Sequence, residues 1–178
     1  QQSMVEVNKR FNRVEDYFEV IERIHSHGIA VQVGIVFGFD HDTPEIFEDT
    51  ADFLEKAGAQ NATFNILTPF PGTPLFRKME AEWRILMRDW RKYNSRDDLV
   101  HQPKQMSVAG LPAGFQYANK RFYSVPSVAK RLSRSSVQLW WTLPLILAYG
   151  YRWRKTAQAA IQHRIAAGSR SASFHAGS

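Results

Sequence analysis

Two short apolar runs about thirty residues apart, with one amphipathic helical pattern between them, constrain this chain more than any other feature. The first, residues 29–37 (IAVQVGIVF), is nearly unbroken and rich in β-branched and aromatic side chains. That is the composition of a strand buried on both faces, as in a parallel sheet. The second, residues 61–67 (NATFNIL), reads as another strand. Between them, Asp42-Thr43-Pro44-Glu45 offers a capping oxygen, an early proline and an acid that complements the helix dipole. The spacing predicts a helix to Ala57, with Ile46, Phe47, Thr50, Phe53 and Leu54 as its buried stripe and Gly58 as its stop.

Residues 14–27 carry Val14, Tyr17, Phe18, Ile21 and Ile24 at helical spacing and end at Gly28. Residues 68–74 (TPFPGTP) are too rich in proline for regular structure, and a further helix is expected from Leu75 to Ile85. The order α-β-α-β-α belongs to the α/β class, a parallel sheet with helical crossovers in a barrel or a doubly wound arrangement. Two strands complete neither, so further strands are expected upstream. Beyond Arg88 the pattern predicts a small mixed segment around Trp90, Tyr93 and Leu99-Val100, then a helix-rich one over 106–124. Residues 137–151 form a charge-free apolar stretch, and the small polar residues 168–178 are expected to be a disordered tail.

In such folds, ligands sit at the carboxyl ends of the strands, here residues 38–41 and 67–73. Strand alternation puts Gly34, Val36 and Gly38 on one side. Glycine inside a strand marks close approach of a ligand or another backbone, so a flat aromatic group could lie there; tight helix–strand packing accounts for it equally. Asp40, Asp42, Glu45, Glu48, Asp49 and Asp52 read as dipole partners and a solvated face rather than a metal site. Asp40 alone, at a strand end, keeps functional weight. The histidines show no ligand spacing; His41 reads as an exposed loop residue, and no metal site is expected.

There is no cysteine, which excludes a disulfide framework, a thiolate metal site and an iron–sulfur cluster held by this chain alone. All 17 acids precede Leu99, with 12 of the 23 Lys and Arg; the other 11 follow with no acid among them. The basic half suits an anionic surface. No apolar leader follows Gln1-Gln2-Ser3, and a cytoplasmic location is expected.

Three segments carry a family resemblance: Gly34-Ile35-Val36-Phe37-Gly38-Phe39-Asp40, the Asp42–Glu45 helix start, and Thr68-Pro69-Phe70-Pro71-Gly72-Thr73-Pro74-Leu75. With Asn8-Lys9-Arg10-Phe11-Asn12, they resemble the last third of the radical S-adenosylmethionine barrel. The version concerned has an upstream cobalamin-binding domain, as in hopanoid methylases and anaerobic tetrapyrrole cyclases. Asp89-Trp90 and Arg121-Phe122-Tyr123 resemble the small domain that follows that barrel.

The resemblance implies a six-stranded partial TIM barrel, (β/α)6, with the fifth and sixth strands here. Residues 1–88 would be its last third, 89–124 a small post-barrel domain, 125–167 a basic, aromatic, helix-rich appendage and 168–178 the tail. Gly34, Val36 and Gly38 would support the adenine of S-adenosylmethionine, with Asn65 and Leu67 near the same cofactor. Phe39, Asp40, Phe70, Pro71, Gly72 and Thr73 would face the substrate side. The implied activity is methyl transfer or radical modification of a large apolar substrate. The family's CxxxCxxC loop, which holds a [4Fe-4S] cluster, is absent, and any cobalamin domain would lie upstream. The chain alone is thus expected to be inactive, its partner being the upstream half of the same polypeptide. Trp83 stands where relatives commonly have glycine.

The 137–151 stretch falls short of the roughly 20 apolar residues that span a bilayer. It carries Trp140, Trp141, Tyr149 and Tyr151, with Trp153 just beyond, between Arg131 and Arg134 on one side and Arg152, Arg154 and Lys155 on the other. An interfacial segment at the inner face of the membrane and a core helix both fit this pattern. Nucleic acid fits less well, because the aromatics cluster with aliphatics rather than with Lys and Arg. A non-catalytic membrane-associating or protein-binding α/β module is the alternative reading of the whole chain.

Overall fold

The computed structural model describes residues 16–96 and 98–133, then positions 143, 144, 146–148, 150 and 151. The chain runs α1 (Asp16–Ser26), β1 (Gln32–Phe37), α2 (Ile46–Lys56), β2 (Asn61–Ile66), α3 (Pro74–Ala81), a 3-10 turn (Trp90–Lys92), α4 (Gly110–Phe122) and α5 (Val125–Ser133). β1 and β2 are parallel and adjacent, in register from Gln32 opposite Asn61 to Phe37 opposite Ile66. The sequence's βαβ unit is therefore present, as an α/β fold with a two-stranded parallel sheet among the described residues.

Alternation along the strands puts Val33, Ile35 and Phe37 with Ala62, Phe64 and Ile66 on one face. There they pack with Phe47 and Leu54 of α2 and with Leu111, Ala118 and Phe122 of α4. The Phe37 ring stacks on Phe64 at 5.8 Å and tilts against Phe47 at 4.8 Å. The helix α4 comes so close that a Cβ on Gly114 would fall 2.0 Å from the Phe47 ring. Burial on both faces of β1, as its composition suggests, does not occur among the described residues: Gln32, Gly34 and Val36 are exposed.

The two sheet edges differ. Carbonyls of Val31 and Phe37 accept from Asn61 and Leu67, so odd-numbered backbone groups of both strands face each other. Even-numbered groups point outward. On β2 those of Ala62 are taken: its carbonyl, at 2.6 Å, and Asn61 Oδ1 share the one proton of the Tyr123 hydroxyl, and its N–H donates to the same hydroxyl at 3.4 Å. Ile66 N–H donates to the Ser95 carbonyl at 2.7 Å. No described strand pairs with the outer edge of β1.

Two helix boundaries differ from the sequence pattern. The helix α3 stops at Ala81 rather than Ile85 because Trp83 is left-handed, with φ of 56°. Arg84 N–H donates to the Met79 carbonyl and Trp83 N–H to that of Glu80, a Schellman ending usually made by glycine. A non-glycine residue there costs about 1 kcal/mol, and the indole is 92% exposed. Ile85 instead bridges antiparallel to His101. Helix α2 starts at Ile46, and its N-cap residue, Glu45, makes no side-chain capping bond.

The charge asymmetry is partly an internal fit. Lys130 pairs with Glu55 at 2.6 Å, Arg121 with Asp52, and Lys104 with Asp40 at 3.0 Å. Asp52 is thus not merely part of a solvated face. Arg131, read from sequence as a flank of the apolar stretch, is 2% exposed. Its guanidinium donates to the carbonyls of Ala59, Gln60 and Phe122 and lies 3.6 Å over the Phe122 ring. Burial lowers its pKa to about 10, so it stays charged at neutral pH.

Among the described residues no helix is long and apolar enough to cross a membrane. Residues 8–12, Arg134, Trp140, Trp141, Tyr149, Trp153 and the tail lie outside the described residues.

The β2 edge gives a direct stability test. Tyr123→Phe takes the hydroxyl from the Ala62 carbonyl in a buried site, while Asn61 Oδ1 keeps the Ala62 N–H. It is expected to lower unfolding free energy by about 1–3 kcal/mol in urea titration.

Candidate functional site

The uncovered face of the sheet is the first candidate. Gly34 lies opposite Thr63 and Val36 opposite Asn65, and Gln32 Nε2 donates to Thr63 Oγ1 at 3.0 Å across one end of the face. A Cβ on Gly34 would meet nothing within 4 Å. Packing inside this chain therefore gives no reason for glycine at that position. Gly34 and Val36 of β1 thus share this face with Thr63 and Asn65 of β2. Leu67 follows, buried, with its N–H on the Phe37 carbonyl at 2.8 Å.

Gly38 does not continue that face. Its φ of +104° ends the alternation, and a Cβ there would lie 2.9 Å from Leu111 Cδ2 and 3.5 Å from His101 Cε1. It turns toward α4 and His101, and the expectation of one shared side holds for Gly34 and Val36 only. The following turn is closed by Asp42, whose Oδ2 accepts from Gly38 N–H at 2.8 Å and Phe39 N–H at 3.0 Å.

Asp40 lies just past this end of β1 and is 6% exposed. Lys78 approaches its Oδ2 at 2.9 Å and Lys104 at 3.0 Å, while Arg84 approaches Oδ1 at 2.7 Å. Burial alone would raise its pKa, but hydrogen bonds from Lys78, Lys104 and Arg84 outweigh it and hold the carboxyl far below the usual range. A carboxylate so held carries no proton at working pH. It instead joins the β1 end to α3, to the Trp83 turn and to the 98–106 segment.

In the second loop, Thr73 is the N-cap of α3: its Oγ1 accepts from Phe76 N–H at 3.2 Å and donates to the Phe70 carbonyl at 2.6 Å. Phe70, Pro71 and Gly72 are exposed, and Phe39 is half-buried. Among the described residues no group of three or more His, Asp or Glu is placed to hold a metal ion. His41 is exposed, and His25 donates to Gln60 Oε1 at 2.9 Å, joining α1 to the start of β2.

His101, Lys78, Arg84 and Lys104 went unnoticed in the sequence. They meet Gly38 and Asp40 across separations such as 38 and 63 residues, and no local spacing marks them. His101 is fully buried, with Nε2 donating to the Gly38 carbonyl at 3.3 Å. Its Nδ1 has no partner. A second proton would create a buried N–H without an acceptor.

Burial accordingly lowers the His101 pKa, with Arg84 acting the same way and the Gly38 carbonyl and Asp40 opposing. The unfolded chain then binds the proton first as pH falls below about 6.5. Stability is fully present above that value and declines below it. Urea midpoints should fall between about pH 6.5 and 5, and His101→Gln should flatten that fall; parallel slopes would contradict this.

No family model matches the chain. It is 31% identical over 141 residues to a bacteriochlorophyllide d C-12(1)-methyltransferase of Chlorobaculum tepidum, covering 79% of this chain and 30% of that protein. A hopanoid C-2 methylase of Rhodopseudomonas palustris is 35% identical over 88 residues, 49% of this chain and 17% of its own length. An anaerobic magnesium-protoporphyrin IX monomethyl ester cyclase of Cereibacter sphaeroides is 25% identical over 122 residues, 68% of this chain and 19% of the cyclase. The chain thus spans less than a third of the length of these relatives. It is a relative of the cobalamin-associated group of radical S-adenosylmethionine enzymes, aligned with a part of each.

Proposed function

We propose that this chain supplies the adenine-side wall of an S-adenosylmethionine site, and part of a substrate pocket, in an enzyme of that group. The observation that carries the reading is the open face around Gly34, where a side chain would meet nothing in this chain yet none is present. Val36 and Asn65 flank it; they would give a purine ring an apolar floor and one hydrogen-bonding amide. When bound, S-adenosylmethionine supplies a methyl group or a carbon-centred radical. The chain has no cysteine to hold a [4Fe-4S] cluster, so no step through the cluster is assigned to it, and alone it is inactive in this reading.

The sheet edges support the same placement. β2 has the outward groups of Ala62 and Ile66 occupied, as suits a last strand, and no described strand pairs with β1's outer edge, which leaves room for a neighbour from the upstream half of the polypeptide. In this reading the two strands are the fifth and sixth of a partial TIM barrel within residues 1–88, followed by the 89–124 segment and the basic appendage. Phe39 and Phe70–Thr73 form the substrate-side rim. Asp40 serves beneath it by fixing Lys78 and Lys104 rather than by moving a proton. The substrate is a large apolar molecule, modified by methyl transfer or radical chemistry, with any cobalamin held upstream. This draws on the methylases and the cyclase to which the chain is similar.

The test joins stability to binding. Gly34→Val should raise unfolding free energy by about 0.5–1 kcal/mol, because glycine weakens a strand interior and the site is empty. Amide shifts of Gly34, Val36 and Asn65 on adding S-adenosylmethionine to the chain should be lost in the variant. Shifts that survive in the variant, or that appear only elsewhere in the wild type, would contradict the reading.

A further inference from the structure

The turn that ends α3 holds a tryptophan against its backbone preference. Trp83 has φ of 56°, a conformation natural to glycine, and its side chain is 92% exposed. Packing among the described residues therefore offsets little of that strain. Strained residues of this kind gather at binding sites, where a contact outside the chain accounts for them. The indole has company. With Arg77, Glu80, Ala81, Ile85 and Arg88 it lines a surface cleft of about 390 Å³, within the roughly 300–1,000 Å³ of small-molecule sites. Glu80 and Ala81 follow Arg77 by three and four residues, so the three share one face of α3, and Trp83 lies just past the end of that helix.

The charge of the cleft is positive. Its one acid, Glu80, is engaged by Arg88 at 2.7 Å, and Arg77 pairs with no acid among the described residues. Instead Arg77 Nη1 donates to the Gly72 carbonyl at 2.9 Å. That bond orients the guanidinium and uses one of its N–H groups, leaving the fork able to take an anion. An oriented planar cation beside an exposed indole fits a flat aromatic body joined to a carboxylate or phosphate. The ring stacks on the indole, and the anionic group meets the guanidinium. An aliphatic ligand would leave the stacking face unused, and a cationic one would be repelled by Arg77.

We propose that the Trp83 cleft binds a planar aromatic anion, stacked on the indole and held at its carboxylate or phosphate by Arg77. Ala81 and Ile85 give the ring further apolar contact. The cleft shares no residue with the Gly34 face. The inference therefore does not depend on S-adenosylmethionine binding, and each can fail without the other. The strain at Trp83 also fixes the sign of one replacement: glycine there should stabilise the chain while removing the stacking face.

The test is titration of the full 178-residue chain with naphthyl phosphate and with naphthoate, neither of which carries adenine. Binding is followed by NMR at the Trp83 indole N–H and the Arg77 Nε–H. At least one of the two anions is expected to shift both signals saturably, and the tighter of them identifies the group the fork takes. Neutral naphthol and inorganic phosphate should bind at least about tenfold more weakly. Trp83→Gly should weaken binding at least about tenfold while raising the unfolding midpoint, so that lost binding is not lost folding. Arg77→Gln should cut the preference for the anion over naphthol about tenfold. Undiminished binding by Trp83→Gly would overturn the proposal. So would a lower midpoint in that variant, naphthol bound as tightly as the anions, no saturable shift, or shifts confined to Gly34, Val36 and Asn65.

Discussion

The fold depends on a backbone problem solved at one edge of a two-stranded sheet. A parallel pair leaves outward N–H and C=O groups on both strands, and buried groups of that kind need partners. On β2 the Tyr123 hydroxyl and the Ser95 carbonyl provide them at Ala62 and Ile66. Those contacts draw α4 and the 93–96 turn against the strand, and with them Leu99, Leu111 and Phe122 into the core. The same layout leaves Gly34 and Val36 exposed on the other strand. A closed edge and an open face are thus two consequences of one arrangement.

Electrostatics holds the two halves of the chain together. Acids before Leu99 and cations after it meet at Asp52–Arg121, Glu55–Lys130 and Asp40–Lys104. The exposed pairs contribute little individually. The buried clamp on Asp40 and the four carbonyl contacts of Arg131 matter more, because removing either partner would leave polar groups uncompensated. Asp40 is therefore an organiser of the loop end, and any chemistry nearby falls to groups around it.

Local signals made much of this legible. The β-branched run at residues 29–37 and the helical periodicity after Asp42 gave the parallel βαβ unit, because both depend on residues close in sequence. Gly34 could be singled out as a gap in a strand. Its sense, open face or tight packing, depends on what lies across from it and needed three dimensions. Alternation does not carry through Gly38, whose positive φ turns it off the strand face. Trp83 ended α3 early for the same reason: nothing in a tryptophan announces a positive φ. The clamp on Asp40 and the burial of His101 and Arg131 come from residues far apart in the chain, where periodicity carries no information.

Amide hydrogen exchange measured residue by residue on the chain tests the central claim, a sheet with one closed edge and one open edge. The outward amides of Ala62 and Ile66 should exchange slowly, and those of Gln32, Gly34 and Val36 near the rate of unprotected backbone. Equal protection of the two sets would mean that β1 is covered, and would contradict both the open face and the wall it is proposed to form.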